Sequence, residues 1–300
     1  MDRIFGIGNL IAASNKVFSL GDIRSFKNKI LFVIAGIRGR NAIQQGLTTD
    51  QLSTINNLAT ENLSFLGFFV WPYLDKDRNL LARFSSVANH TLIVKNQYKW
   101  MLLQPRLSIH IASLTQFYEN LAVVIENAPW FIREGGLNFS LMLGNIRLVS
   151  IAFAFDVIEN KSVVLVGAVQ GNAETSQATY REIANACCDL RPRDLTFKLF
   201  RLFLTELGVQ KLRCIADDYR VANHSFFGGN KSEIVSMRYD DLWIDQGGLL
   251  STDGYYDLAV EMMERSIADV PQKKRGRYKR RLEMYELVGQ AIKKRVIELT

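Results

Sequence analysis

The segment LNFSLMLGNIRLVSIAFAFDVIENKSVVLVGAVQG, residues 137–171, restricts the possible folds more than any other part of the chain. It contains three runs of strand character, at 138–143, 146–157 and 161–170, rich in β-branched and aromatic residues. Gly-Asn and Glu-Asn separate the runs. Both are short enough for hairpin loops, and Gly-Asn reaches positive φ at little cost. Three strands joined this way make an antiparallel meander, the expected centre of a sheet.

The chain beyond the meander sets the fold class. NAETSQATYREIANACCDL reads as a helix capped by Asn172 or Thr175, with Ile183, Ala184 and Cys187 on its apolar side. Pro192 ends it, a second amphipathic helix runs to Gly208, and VQKLRCIADD then reads as a buried strand. Helix and strand beside an antiparallel meander predict an α+β domain with a mixed, largely antiparallel sheet over residues 127–300. Residues 1–126 read as mainly helical, either as a separate region or as part of one continuous globule. Thr48, Thr49 and Asp50 are capping residues ahead of Leu52, Ile55 and Leu58 at helical spacing. Leu107, Ile111, Leu114, Tyr118, Leu121 and Val124 repeat that spacing and predict a further helix, with His110 inside it and His90 in another.

Apolar content of 48% and charged content of 22% are those of a folded chain, not a disordered one. Net charge is +7, and seven cations lie in VPQKKRGRYKRR: Lys273, Lys274, Arg275, Arg277, Lys279, Arg280 and Arg281. The basicity is therefore local and points to a local partner with phosphate or carboxylate groups. Tyr278, Leu282, Tyr285, Val288 and Ile292 continue at helical spacing, so the basic run opens a C-terminal amphipathic helix. Cations there oppose the helix dipole, a small cost that favours a binding purpose. Cys187, Cys188 and Cys214 make neither a disulfide framework nor a metal spacing and favour a reducing, cytoplasmic setting. The N-terminus lacks a basic n-region and a sustained apolar core, so no signal peptide is expected. The longest apolar runs, ILFVIAGI and FLGFFVWPYL, are about half the length needed to span a bilayer and read as buried helix or strand, with contact at a membrane surface as the lesser alternative.

Three stretches can carry chemistry. Gln170, Gly171, Asn172 and Ala173 run from a strand into a helix start, where main-chain N–H groups and the helix dipole suit an anion such as a pyrophosphate. The alternative is a turn that needs one glycine. ADDYRVANHS places Asp217, Asp218, Tyr219, Asn223 and His224 after the last buried strand, where an aspartate-oriented histidine would be a general base. The alternative there is a surface histidine beside loop aspartates. In MRYDDLWIDQGG, Tyr239 and Trp243 read mainly as a seal on the sheet, while Asp240 and Asp241 are candidates to line a pocket. No P-loop, nucleophile elbow, zinc motif or kinase motif is present, and three scattered histidines make no metal site.

In their order and spacing, LVGAVQG (165–171), DLRPRDL (189–195), YDDLWIDQGG (239–248), DGYYDL (253–258) and VPQKKRGRYKRR (270–281) resemble the VirK/YbjX family of bacterial proteins, over roughly residues 98–296. The family tends to carry Ser-Asn and then a histidine after the last buried strand; this chain has Asp217-Asp218 and a displaced His224. The resemblance implies a bacterial protein in the cytoplasm or peripheral at the inner membrane, linked to envelope properties and virulence, and supplies no established reaction. The element order also resembles the GNAT acyltransferase fold. That likeness implies an acyl donor, acyl-CoA or acyl-carrier protein, with its phosphates on Gln170, Gly171, Asn172 and Ala173 and on Lys273, Lys274 and Arg275. Asp217 or His224 would then accept the acceptor's proton, and Tyr219 or Tyr239 would protonate the leaving thiolate. The competing reading is a non-enzymatic envelope adaptor that docks on anionic lipid or an acidic partner through the basic segment. Nucleic-acid binding ranks last, because only Tyr278 interleaves the cations and no recognised module precedes them.

Overall fold

A computed structural model describes residues 6–18, 23–101, 107–227, 238–262 and 264–300. Residues 1–5 of the N-terminus and Met237 of MRYDDLWIDQGG lie outside them. Four helices come first: α1 (Ile7–Val17), α2 (Ile23–Gly46), α3 (Thr49–Glu61) and α4 (Leu80–Gln97). The start of α3 is the expected one. Thr48 accepts from the Gln51 amide while the Gln51 side chain accepts from the Thr48 amide, a reciprocal capping box.

The stretch read as a helix over 107–124 is instead a strand pair, β1 (Ser108–Ser113) and β2 (Leu121–Glu126), with Ser108 opposite Glu126. Its apolar residues fit both periods. Ile109 and Ile111, like Leu121, Val123 and Ile125, recur at every second position, and Asn120 takes φ of 58° at the turn between the strands. Pairing of β2 with β3 decides for the strand, since a helix there would leave the β3 edge without its ladder. His110 therefore lies on β1, and the sheet begins inside the region read as mainly helical.

The meander forms as expected: β3 (Leu137–Leu143), β4 (Ile146–Ile158) and β5 (Lys161–Gly171). Gly144 takes φ of 56° in the first hairpin, and Glu159 and Asn160 take 51° and 61° in the second. After β5 come α5 (Gln177–Ala186), α6 (Pro192–Glu206), β6 (Lys211–Ile215), α7 (Tyr239–Asp245), β7 (Leu249–Leu250), β8 (Tyr255–Ala259) and α8 (Gln272–Leu299). Ser176, not Asn172 or Thr175, caps α5 by accepting from the Thr179 amide, because Asn172 is still tied to the sheet.

The sheet has eight strands in the order β1-β2-β3-β4-β5-β6-β8-β7. Every neighbouring pair is antiparallel except β5 and β6, which the α5–α6 crossover makes parallel. The protein is thus α+β, with helices first, a mostly antiparallel sheet, and a long C-terminal helix. On β4, every residue from Leu148 to Asp156 is buried, so both faces of the sheet are covered there. On one side α6 lays Phe200 and Phe203 on Phe139 and Phe153, with ring centroids 5.0–5.5 Å apart. Each such buried ring is worth about 1.5–3 kcal/mol. A second, smaller cluster covers part of the sheet with Ala128 and Phe131 against Ala152 and Ala168.

Candidate functional site

The parallel pair is short. Residues 163–166 of β5 align with 211–214 of β6, yet β5 continues to Gly171, so the strands part beyond Val166. A bulge marks the same place, because Ala152 faces Ala168 while Phe153 faces Val166, leaving Gly167 over. Gly167 is required there, since a Cβ would come within 2.1 Å of the Glu134 carbonyl oxygen. The loop carrying Glu134 lies equally close at Gly135, where a Cβ would strike the Phe153 backbone.

One short helix spans the parting. On the β5 wall the Tyr239 hydroxyl accepts from the Val169 amide and donates to the Val169 carbonyl, both at 2.8 Å. On the β6 wall Trp243, one helical turn on, donates from Nε1 to the Ile215 carbonyl at 2.8 Å. Two side chains thus replace the ladder bonds that the diverging strands give up. The expectation that Tyr239 and Trp243 seal the sheet describes what they do. Burial pushes the Tyr239 phenol up to about 12, against the charge of Arg220, whose guanidinium lies 3.9 Å from the ring centroid.

The loop aspartate holds this helix. Asp217 accepts from the Tyr239 amide at 2.9 Å and the Asp240 amide at 3.2 Å, and Asp240 in turn accepts from the Asp217 amide at 2.9 Å. These are charge-assisted bonds at a helix start. Asp217 does not orient His224. The His224 Nδ1 accepts from the Phe226 amide at 3.0 Å, and its pKa is lowered by burial and by Arg83, with Asp77 opposing. Tyr219 packs its ring under Gly254, where a Cβ would come within 2.3 Å, and Lys76 sits over the ring at 5.4 Å. Of the four proposed catalytic residues, the structure brings Asp217 and Tyr239 together and leaves His224 and Tyr219 in separate packing roles.

At the strand-to-helix corner, Gln170 pairs with Ser150 of β4. The Asn172 amide is shared by the Leu148 carbonyl at 2.9 Å and the Tyr180 hydroxyl at 3.0 Å, and the Asn172 side chain accepts from the Glu174 amide. By strand alternation the Gly171 amide points with that of Val169 to the parted side. So the corner is partly filled by its own side chains. The φ of Gly171 is not positive, so the position needs no glycine for its conformation.

Lys273, Lys274 and Arg275 are exposed at the start of α8. The basic end of α8 meets the chain beyond the far end of α5. Arg277 pairs with Asp189, and Arg281 donates to the Cys188 carbonyl at 2.8 Å. Arg275 donates to the carbonyls of Val270 and Ala268, closing the turn ahead of its own helix. Two of the seven cations thus have jobs in packing that end of α8 on the domain.

One residue that sequence reasoning passed over faces the parting. Glu134 Oε2 is buried and has no hydrogen-bond partner among the described residues. Burial raises its pKa, while the charges of Arg133 and Arg220 and nearby amides pull it down. The residue as a whole is half-buried, while this carboxyl oxygen is shielded from solvent. Its charge acts on Tyr239, raising the pKa of the phenol. The signal in the sequence was Glu134-Gly135-Gly136, adjacent glycines that let backbone approach backbone. Among the described residues no group of three or more His, Cys, Asp or Glu is placed to hold a metal ion. None of the described helices is long and apolar enough to cross a membrane.

A family model described as "Protein of unknown function (DUF535)" matches residues 21–294. The "Uncharacterized protein YbjX" of Escherichia coli (strain K12) is 26% identical over 146 residues, 48% of this chain and 43% of that protein. An "Uncharacterized protein" of Haemophilus influenzae is 31% identical over 134 residues, 44% of each chain. The chain spans less than half the length of the curated relatives it matches. No solved structure gives a significant match. With the family match covering all but the ends, the chain belongs to the DUF535 family, the VirK/YbjX family that its ordered motifs resemble.

Proposed function

We propose that the parting between β5 and β6 is an acyl-donor site and that the protein is a GNAT-like acyltransferase acting on envelope components. The observation that carries this reading is the edge of β5 beyond Val166, which β6 leaves and the Tyr239 hydroxyl covers at Val169, next to a buried carboxyl with an unpartnered oxygen. An extended arm bearing amides, as in acyl-CoA or acyl-carrier protein, adds to such an edge as a strand would. It pairs with Val169 and Gly171 and takes the place of the Tyr239 hydroxyl. Its phosphates then lie near the first turn of α5, where the amides of Gln177 and Ala178 precede the capped Thr179.

The chemistry rests on two titrating groups. The acceptor amine or hydroxyl attacks the thioester carbonyl and gives its proton to Glu134, whose carboxyl burial makes more basic than an exposed glutamate. Collapse of the tetrahedral intermediate breaks the carbon–sulfur bond, the thiolate takes the Tyr239 proton, and the proton held by Glu134 then returns to the Tyr239 phenolate, directly or through solvent. The base role assigned to Asp217 passes to Glu134, because Asp217 is committed to the start of α7.

The test is protection from heat by acyl-CoA and by acyl-carrier protein. A donor at one hundred times its dissociation constant adds about 2.7 kcal/mol of stability. Glu134→Gln keeps that protection and loses acyl transfer, while Tyr239→Phe, which frees Val169, binds the donor more tightly. Absence of protection by every donor tried, or tighter binding that fails to appear in Tyr239→Phe, defeats the proposal.

A further inference from the structure

Helix α2 has two apolar faces. Phe32 and Ile43 on one are fully buried, and a Cβ on Gly36 or Gly39 of the same face would strike Leu10 or Leu80. At 3.6 residues per turn, Phe26, Ile30, Ile34 and Ile37 lie on the opposite side, within an arc of about 80°. These side chains are between 37% and 68% exposed, and Leu31 beside them is 47% exposed. A surface helix ordinarily turns polar groups outward opposite its buried face; a second apolar stripe marks a partner. The neighbouring α1 runs antiparallel to α2, with Lys29 donating to Asn15 at 2.9 Å, and it leaves Ile7 and Ile11 exposed as well.

The charges say what covers the stripe. On the same wheel Lys27 and Arg38 border it on one side, and Lys29 and Arg40 on the other. No acidic residue falls between Ile23 and Gly46. An apolar layer beneath a negative one is what an anionic bilayer presents, and it matches a stripe flanked by cations. A second copy fits poorly, because a two-fold interface would set these cations against their own kind. The helix does not cross the membrane: its 24 residues are long enough, but with Lys27, Lys29, Arg38 and Arg40 among them it is not apolar enough.

We propose that α2, with α1 beside it, is a docking face for an anionic membrane surface. The helix lies in the plane of the interface, with Phe26, Ile30, Ile34 and Ile37 among the lipid chains and the flanking cations on the phosphates. This surface is distinct from the basic start of α8 and does not depend on the acyl-donor reading.

The test is cosedimentation of the full chain with vesicles of phosphatidylcholine alone and of phosphatidylcholine mixed with phosphatidylglycerol. Binding is expected only to the mixed vesicles and falls as salt rises. Ile30→Ser with Ile34→Ser, both at exposed positions, lowers the partition coefficient about tenfold or more while the melting temperature is kept. In a separate variant, Ile34→Trp, tryptophan emission moves to the blue on adding mixed vesicles and stays unchanged with neutral ones. Lys273→Ala with Lys274→Ala leaves binding in place. The proposal is overturned by failure of the unaltered chain to bind, by stripe variants that bind as before, or by an unshifted emission. It is equally overturned if the unaltered chain is a dimer that the stripe substitutions make monomeric.

Discussion

His90 is neutral at pH 7 because of where α4 meets β4. Its Nδ1 accepts from the Phe155 amide at 3.1 Å, and its ring stacks on Phe155 with centroids 6.0 Å apart. Burial lowers its pKa to about 4, with Asp156 pulling the other way. In the unfolded chain the imidazole titrates near 6.5, so on the acid side only the unfolded state takes up the proton. The stability this residue secures is whole above about 6.5 and falls by about 3 kcal/mol as pH drops to about 4. Urea unfolding of the protein and of His90→Gln across that range measures this. The variant is expected to lose less stability on acidification, and parallel slopes would refute the assignment. That His90 sits on a helix was legible in the sequence; the amide that fixes it was not, lying 65 residues away. Glu134 was hidden for the same reason. A glutamate in a glycine-rich loop reads as a surface residue until β5 is seen to part beside it.

Among elements, a buried polar network joins α4, β4 and β8 through Arg78. Its Nε donates to Asp75 at 2.9 Å and its Nη1 to Asp156 at 3.2 Å. Tyr255 donates to Asp75 at 2.8 Å, and Ser86 donates to Asp156 at 2.6 Å. Burial alone would weaken the charged guanidinium, but Tyr255, Asp75 and Asp156 more than offset it and raise its pKa. Arg78→Met leaves two carboxylates facing each other without their shared cation, and we expect a loss of about 3–5 kcal/mol, as for other broken buried pairs. Adding Asp156→Asn should restore part of that loss, a coupling that a double-mutant cycle in urea reads directly. If the two losses simply add, the network does not act as a unit. Local elements were largely legible: the meander, both crossover helices, the cap at Thr48 and the α8 helix all follow from short-range pattern. The strand pair β1–β2 was not, because a six-residue apolar pattern fits two periods and only the β3 edge chooses between them.

For the molecule as a whole, the buried core is continuous. Phe84 and Val94 from the first helices, Phe155 from the sheet and Val288 from α8 belong to one cluster. Tyr98 stacks on Phe155 at 5.1 Å and donates to the Leu207 carbonyl, so the chain before β1 is bolted to the sheet and to the end of α6. We therefore expect one calorimetric transition, with equal calorimetric and van't Hoff enthalpies. Two resolved transitions would mean that residues 1–126 and 127–300 unfold separately. The docking face on α2 lies outside this core, and changes at Ile30 and Ile34 should leave the transition where it is.

Chain order already settled the class of this protein, since hairpin loops of two residues and helices bounded by Pro192 and Gly208 act through neighbours in sequence. It also located the basic helix and the aromatic pair that closes the sheet. Where β5 leaves β6, which carboxyl faces that opening, and which apolar stripe stays uncovered were decided only by packing. Each depends on groups tens to hundreds of residues apart, and burial, which sets their charge and their availability, exists only once the chain has closed around them.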